Sequence, residues 1–208
     1  MSRNIFIWLV ICGCAAPAIA LKVSIYYETL CGDTIHFFVH QFAPAYSVIR
    51  NNIHVDLVPF GKATAVNNSG TWNFTCQGGP NECHGNKVHS CVVELYHMRS
   101  PEFAICAFQS GNAASDANLQ LCATENNITW STIQECMTSG QADELHAANG
   151  IRTTSVEPEI TFVPTIIYND IFKVSLQNLS LENFFTLATF LQSNTNVEVA
   201  ISSVGPIE

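Results

Sequence analysis

Apolar and polar positions mark out ordered segments at both ends of the chain and leave a long middle stretch without a clear period. Lys22 to Tyr27 alternates and is rich in β-branched and aromatic residues, which predicts a core strand. Thr34 to Val48 carries Ile35, Phe38, Val39 and Phe42 at helical spacing, with Pro44 near its end, and predicts a helix. His54 to Gly61 predicts a second strand running into a turn. Lys62 to Ser90 is polar and rich in Gly, Asn and Cys, so it reads as a long loop that is either functional or held by disulfides. Cys91 to Gln109 predicts a helix disturbed by Pro101, and Ser115 to Ala123 and Ile128 to His146 predict further short helices. Ile160 to Tyr168 predicts a strand interrupted by Pro164. Asn169-Asp170 then makes a turn, and Ile171 to Leu176 returns as a hairpin partner. Leu181 to Leu191 predicts an amphipathic helix with Leu181, Phe184, Phe185, Ala188 and Leu191 inward, and the polar tail from Ser193 is expected to be loose.

The order β-α-β, a largely helical insert at about residues 62–155, then β-β-α predicts an α/β chain with the thioredoxin-like order split by an insertion. The first twenty residues stand outside that fold. Arg3 supplies a positive start, Ile5 to Ile11 an apolar stretch and Ala18-Ile19-Ala20 a small-x-small cleavage site, so residues 1–20 read as a signal peptide and residues 21–208 as a single mature domain. No later segment is apolar for long enough to span a bilayer. The formal charge of −9 argues against nucleic acid and anionic membranes as partners. Four Asn-x-Ser/Thr sequons, at Asn67, Asn73, Asn127 and Asn178, fit passage through the secretory route, with extracellular release or endolysosomal delivery as the destinations.

The candidate chemistry begins at Leu30-Cys31-Gly32-Asp33-Thr34, between the first strand and the first helix. Strand, Cys-x-x-Cys, helix is the layout of a thioredoxin-type redox site, and here the second cysteine is Thr34. Once Cys12 and Cys14 leave with the leader, seven cysteines remain. An odd number in a secreted chain leaves one free thiol or an intermolecular bridge, and Cys31 is the natural odd one. Cys76, Cys83, Cys91, Cys106, Cys122 and Cys136 can form three disulfides, in pairings that spacing alone does not choose. Cys76, Cys83, His84, His89 and Cys91 also carry zinc-ligand chemistry. Their spacing fits no common zinc pattern, and neither a metal nor a cofactor is expected.

The run Cys76-Gln77-Gly78-Gly79-Pro80-Asn81-Glu82-Cys83-His84-Gly85-Asn86-Lys87-Val88-His89-Ser90-Cys91 resembles the signature of the gamma-interferon-inducible lysosomal thiol reductase (GILT) family, with Gly78 where that signature has histidine. Val58-Pro59-Phe60-Gly61-Lys62-Ala63, Leu145-His146-Ala147-Ala148 and Phe162-Val163-Pro164 resemble further family stretches, so the likeness covers nearly the whole mature chain. The resemblance implies a thioredoxin fold with a helical insert and a redox motif faced by a cis-proline loop. Pro164 matches that proline, and Val163, Gly32 and Asp33 would line the substrate groove.

Thr34 alters the chemistry that the family implies. A dithiol reductase attacks a disulfide with one thiolate and resolves the mixed disulfide with its second thiol. The helix start favours an anionic Cys31 sulfur, the Asp33 carboxylate opposes it, and the Thr34 hydroxyl can donate a hydrogen bond to the sulfur but cannot form a disulfide. Three readings follow. The protein has lost efficient reductase activity and acts by binding a partner, either a disulfide-containing protein or another protein or cell-surface ligand. It is a one-thiol oxidoreductase or isomerase recycled by an external thiol. Or Cys31 bridges two chains into a dimer, in place of a monomer. His36 and His40 read as surface histidines. Gln77, Glu82 and Asn86 read as loop-shaping residues, and Phe37, Phe38 and Phe42 as core.

Overall fold

The central strand of the sheet is β1 (Leu21–Tyr27), buried along nearly its whole length. It pairs in parallel with β2 (Ile53–Pro59), Tyr27 opposite Pro59, and antiparallel with β5 (Thr165–Tyr168), Tyr26 opposite Thr165. The computed structural model describes residues 20–194 and 197–204, so the expected leader lies outside the described residues apart from Ala20. Successive side chains of a strand point to opposite faces. Leu21, Val23, Ile25 and Tyr27 therefore enter the main core, while Tyr26 faces a smaller cluster with Val58, Ile160, Val163 and Ile167. The polar members of the second face are satisfied in place: Ser24 Oγ donates to Asp56 Oδ2 at 3.1 Å, and Arg152 Nη2 donates to the same oxygen at 2.5 Å.

The stretch after β1 forms one continuous rod of three parts: α1 (Gly32–Phe37), a π-helical turn (Phe38–Phe42) and α2 (Ala43–Ile49). Pro44 lies in the first turn of α2. A proline inside a helix has no N–H and its ring collides with the carbonyl four residues back. The wider π turn before it accommodates both, so the chain passes Pro44 without ending. Phe37, Phe38 and Phe42 are fully buried and meet Tyr27, Phe108 and Phe184 edge-on or stacked.

Lys62 to Ser90 is ordered, contrary to the loop expectation. It holds the hairpin of β3 (Thr64–Asn68) and β4 (Thr71–Thr75), closed by Ser69 and Gly70 at positive φ, and most of α3 (Pro80–Leu95). The hairpin is largely exposed, so it has no apolar alternation to reveal it. Helix α3 buries Glu82, Asn86, His89 and Ser90, polar residues that hide a helical period. The helix expected over Cys91–Gln109 is divided between the end of α3 and α4 (Ser100–Gln109), and Pro101 starts α4 rather than disturbing it, because a first-turn N–H has no helical acceptor. Beyond it lie α5 (Asp116–Glu125), α6 (Trp130–Thr138) and α7 (Gln141–Thr154), the last two separated at Gly140 with φ 86°. Three disulfides staple these elements: Cys76–Cys83 ties the segment ahead of α3 to that helix's first turn, Cys91–Cys136 joins α3 to α6, and Cys106–Cys122 joins α4 to α5.

The hairpin partner expected at Ile171–Leu176 is absent. Ile171 makes a single bridge to Tyr168, and α8 (Val174–Ser193) has begun by Val174. The reason is a side chain. Gln177 Oε1 accepts from the Ile166 N–H at 2.7 Å and its Nε2 donates to the Pro164 carbonyl at 2.6 Å, occupying backbone groups that a partner strand would use. Helix α8 kinks at Asn183 (φ −153°, ψ 69°). The break shifts the helical phase, so Phe184, Ala188 and Leu191 are buried as expected while Phe185 turns outward and is 43% exposed. The tail forms α9 (Val197–Ser203), with Ala200 and Ile201 buried. Among the described residues no helix is long and apolar enough to cross a membrane.

Candidate functional site around Cys31

Strand β1 delivers the chain to a loop, Glu28 to Leu30, and Cys31 caps the start of α1. Cys31 is the free cysteine among the described residues and is partly exposed. Its thiol donates to the Val163 carbonyl at 3.6 Å, and the Val163–Pro164 peptide bond is cis. Val163 meets the thiol through its backbone, while its side chain is buried with Tyr26, Val58, Ile160 and Ile167. Gly32 and Asp33 are exposed on the first turn of α1, and beyond its chain neighbours and its own helix backbone a Cβ on Gly32 would meet nothing within 4 Å. Phe162, the neighbour of Val163 in the chain, is 39% exposed.

Thr34 is fully buried and its Oγ1 has no hydrogen-bond partner. The hydroxyl-to-sulfur hydrogen bond anticipated above is therefore absent. The third residue after Cys31 sits in a closed slot that offers the hydroxyl no acceptor. A slot of this kind suits a less polar thiol better than a hydroxyl.

The loop before Cys31 is held from outside by α3. Glu82 Oε2 accepts from the Leu30 N–H at 3.2 Å, and the Glu82 carbonyl accepts from Thr29 Oγ1 at 3.2 Å. Asn86 Oδ1 accepts from the Thr29 N–H at 2.9 Å. Thus two residues read as loop-shaping hold the redox loop itself, together with their own. Glu82 Oε1 also accepts from the Gly78 N–H at 2.7 Å, and a Cβ on Gly78 would lie 2.8 Å from Glu82 Oε2. The chain fills with a carboxylate the space that a side chain at position 78 would enter. Gly85 is similarly required: a Cβ there would lie 2.6 Å from Thr29 Oγ1 and 2.7 Å from Ala114 Cβ.

Glu28 went unremarked in the sequence. It is buried, and its Oε1 accepts from the Lys62 N–H at 2.6 Å. Burial raises its pKa and the Glu82 carboxylate adds to the rise, against the pull of the Lys62 N–H. An acid three residues before the cysteine, next to an apolar strand, was the available signal. The zinc spacing does not converge. Cys76 and Cys83 are bonded to each other and Cys91 to Cys136, while His84 pairs with Asp116 at 2.6 Å and His89 with Tyr27 at 2.9 Å. His36 and His40 are exposed, their rings 4.7 Å apart on one helix face. Asn67, Asn73, Asn127 and Asn178 are all exposed.

A strand leading to a helix-capping cysteine, with a cis-proline loop at its sulfur and a β2-β1-β5 sheet, defines a thioredoxin-fold protein. The solved structure of Chlamydia trachomatis DsbA is similar in fold, with a TM-score of 0.55 at 15% identity, covering 86% of this chain and 91% of that one. The family description "Gamma interferon inducible lysosomal thiol reductase (GILT)" matches residues 22–126. GILT-like protein 1 of Drosophila melanogaster is 35% identical over 173 residues, spanning 76% of this chain and 69% of that protein. The gamma-interferon-inducible lysosomal thiol reductase-like protein of Anopheles gambiae is 30% identical, spanning 79% of this chain and 73% of that protein. The chain belongs to the GILT family, a family of thiol–disulfide oxidoreductases.

Proposed function

We propose that this protein is a secretory-route member of the GILT family that binds a disulfide-containing protein at the Cys31 face and does not turn disulfides over efficiently. The observation that carries this reading is Thr34, buried at the third position after Cys31 with its hydroxyl unpartnered. Cys31, as thiolate, attacks one sulfur of a partner disulfide; a mixed disulfide forms and the other partner sulfur leaves as a thiol. Release needs a second thiol to attack that bond, and Thr34 cannot supply one. The partner stays bound until an external thiol arrives. The leader, the exposed sequon asparagines and the lysosomal name of the mosquito relative support entry to the secretory route, ending outside the cell or in the endolysosomal system.

The partly exposed, reduced state of Cys31 favours a second reading, slow one-thiol exchange with glutathione as the recycling thiol. One assay orders the two. Wild type, Cys31→Ser and Thr34→Cys are given a model disulfide with increasing glutathione. Under the binding reading wild type shows little turnover, and Thr34→Cys gains activity by at least tenfold because its thiol fits the existing slot. Turnover by wild type that climbs with glutathione and vanishes in Cys31→Ser establishes the second reading instead. A Cys31-linked dimer, the third possibility, is revealed by non-reducing electrophoresis.

A further inference from the structure

The Cys76–Cys83 bridge differs from the other two disulfides in its surroundings. It closes the shortest loop, with a sequence separation of 7 against 16 and 45. Both its cysteines line a cleft of about 460 Å³ walled by Trp72, Phe74, Pro80 and Lys87. A buried imidazole stands beside it: both sulfurs and a ring nitrogen of His146 lie within 4.8 Å of one another.

The hydrogen bonding of His146 fixes its tautomer. Its Nδ1 lies 3.2 Å from the Pro59 carbonyl, which can only accept, so Nδ1 carries the proton. Nε2 is then a bare lone pair, buried and without a partner. Burial supports the neutral ring, pushing the His146 pKa down to about 4. A disulfide has no proton to offer that lone pair, whereas a cysteine thiol does. Reduction of this bridge therefore satisfies a buried acceptor that the oxidised form leaves empty. Structural disulfides resist reduction, and labile ones are those whose reduced state is favoured by its setting.

We propose that Cys76–Cys83 is a second thiol–disulfide exchange site, open to a small thiol from the cleft, with His146 Nε2 as the hydrogen-bond acceptor that favours the reduced pair. The incoming thiol loses its proton to solvent and attacks one sulfur of the bridge as a thiolate. A new S–S bond forms, the Cys76–Cys83 bond breaks, and the leaving cysteine sulfur takes up a proton from solvent, which it then donates in a hydrogen bond to the neutral imidazole. A second small thiol attacks the mixed disulfide as a thiolate, leaves with the first as an oxidised dimer, and the released cysteine sulfur takes up the second proton. Two thiols are oxidised and the bridge is reduced to two thiols. Cys31 takes no part.

The test uses the mature glycosylated protein carrying Cys31→Ser, exposed to glutathione buffers of graded reducing strength. Thiols are trapped by alkylation and located by mass spectrometry. Cys76 and Cys83 are expected to open at a rate at least tenfold above Cys91–Cys136 and Cys106–Cys122, while the protein stays folded. His146→Asn keeps a donor for the Pro59 carbonyl and removes the Nε2 lone pair, so half-opening is expected to need at least tenfold stronger reducing buffer. The proposal is overturned if Cys76–Cys83 opens only together with the other bridges or on unfolding. A folded His146→Asn protein that opens at the wild-type reducing strength overturns it as well. The order of opening in the His146-containing protein is decisive even where the variant does not fold.

Discussion

Cys31 and the Cys76–Cys83 bridge are joined through Glu82, which precedes Cys83 in sequence and holds the Leu30 N–H next to Cys31. Their surroundings are opposite. Cys31 has open space around Gly32, a carbonyl as its hydrogen-bond partner and a threonine in place of a second thiol. The bridge already has its second sulfur, a tightly packed glycine-dependent loop and an imidazole without a hydrogen-bond partner at Nε2. The comparison teaches that sulfurs close together in the fold can be given opposite surroundings, one by an open helix start and the other by a packed loop and a buried imidazole. It also shows why the signature run is ordered: it is the clamp that positions the loop carrying Cys31.

Acid separates the two regions most strongly. Burial pushes His89 down to about 3 and His146 down to about 4, both from 6.5. In each case the unfolded chain takes up the proton first. The stability due to these neutral rings is complete above pH 6.5 and is lost as pH falls from there toward the folded values. Glu28 opposes the trend, because a carboxyl whose folded pKa is raised favours the folded state as pH falls. Urea unfolding is expected to lose several kcal/mol between pH 7 and pH 4.5, with a shallower loss in His146→Asn; an unchanged midpoint refutes the assignment.

Next in size are the disulfides themselves. Removing Cys91 and Cys136 together, as alanines, is expected to cost about 4 kcal/mol by loop-closure entropy, against about 2.5 kcal/mol for Cys76 and Cys83. Equal losses in denaturant titrations would show that loop length does not set what the two bridges contribute. Glu82→Ala strips acceptors from Leu30 and Gly78 and is expected to cost about 2–3 kcal/mol. It also changes the alkylation rate of Cys31, a readout that general loosening at a distance leaves alone. The smallest contrast is between two glycines. Gly85→Ala must displace Thr29 or Ala114 and is expected to cost about 1–3 kcal/mol. Gly32→Ala meets nothing and stays within about 0.5 kcal/mol of wild type by thermal unfolding.

Much of the fold was legible because its signals are local. The β1 alternation, the Ile35-Phe38-Phe42 spacing and the strand–cysteine–helix order need only neighbouring residues to be read. The signals failed where a polar side chain does the work of a backbone or an apolar neighbour. Gln177 pairs the groups a partner strand would use, and Glu82 and Asn86 bury themselves in α3 against the redox loop. Phe185 faces outward against the pattern because the kink at Asn183 changes the helical phase within one run.

The site divides in the same way. By itself the sequence determined that Cys31 heads a helix after a core strand, that Thr34 replaces a second thiol and that the signature run belongs to the same family, since each of these is a matter of residue identity and short spacing. Only the tertiary structure decided that Glu28 is buried, that the Val163 carbonyl meets the thiol and that His146 stands beside Cys76 and Cys83. Those contacts join residues that lie far apart along the chain, and burial and hydrogen-bond partnership are properties of the packed interior, which no local pattern of residues contains.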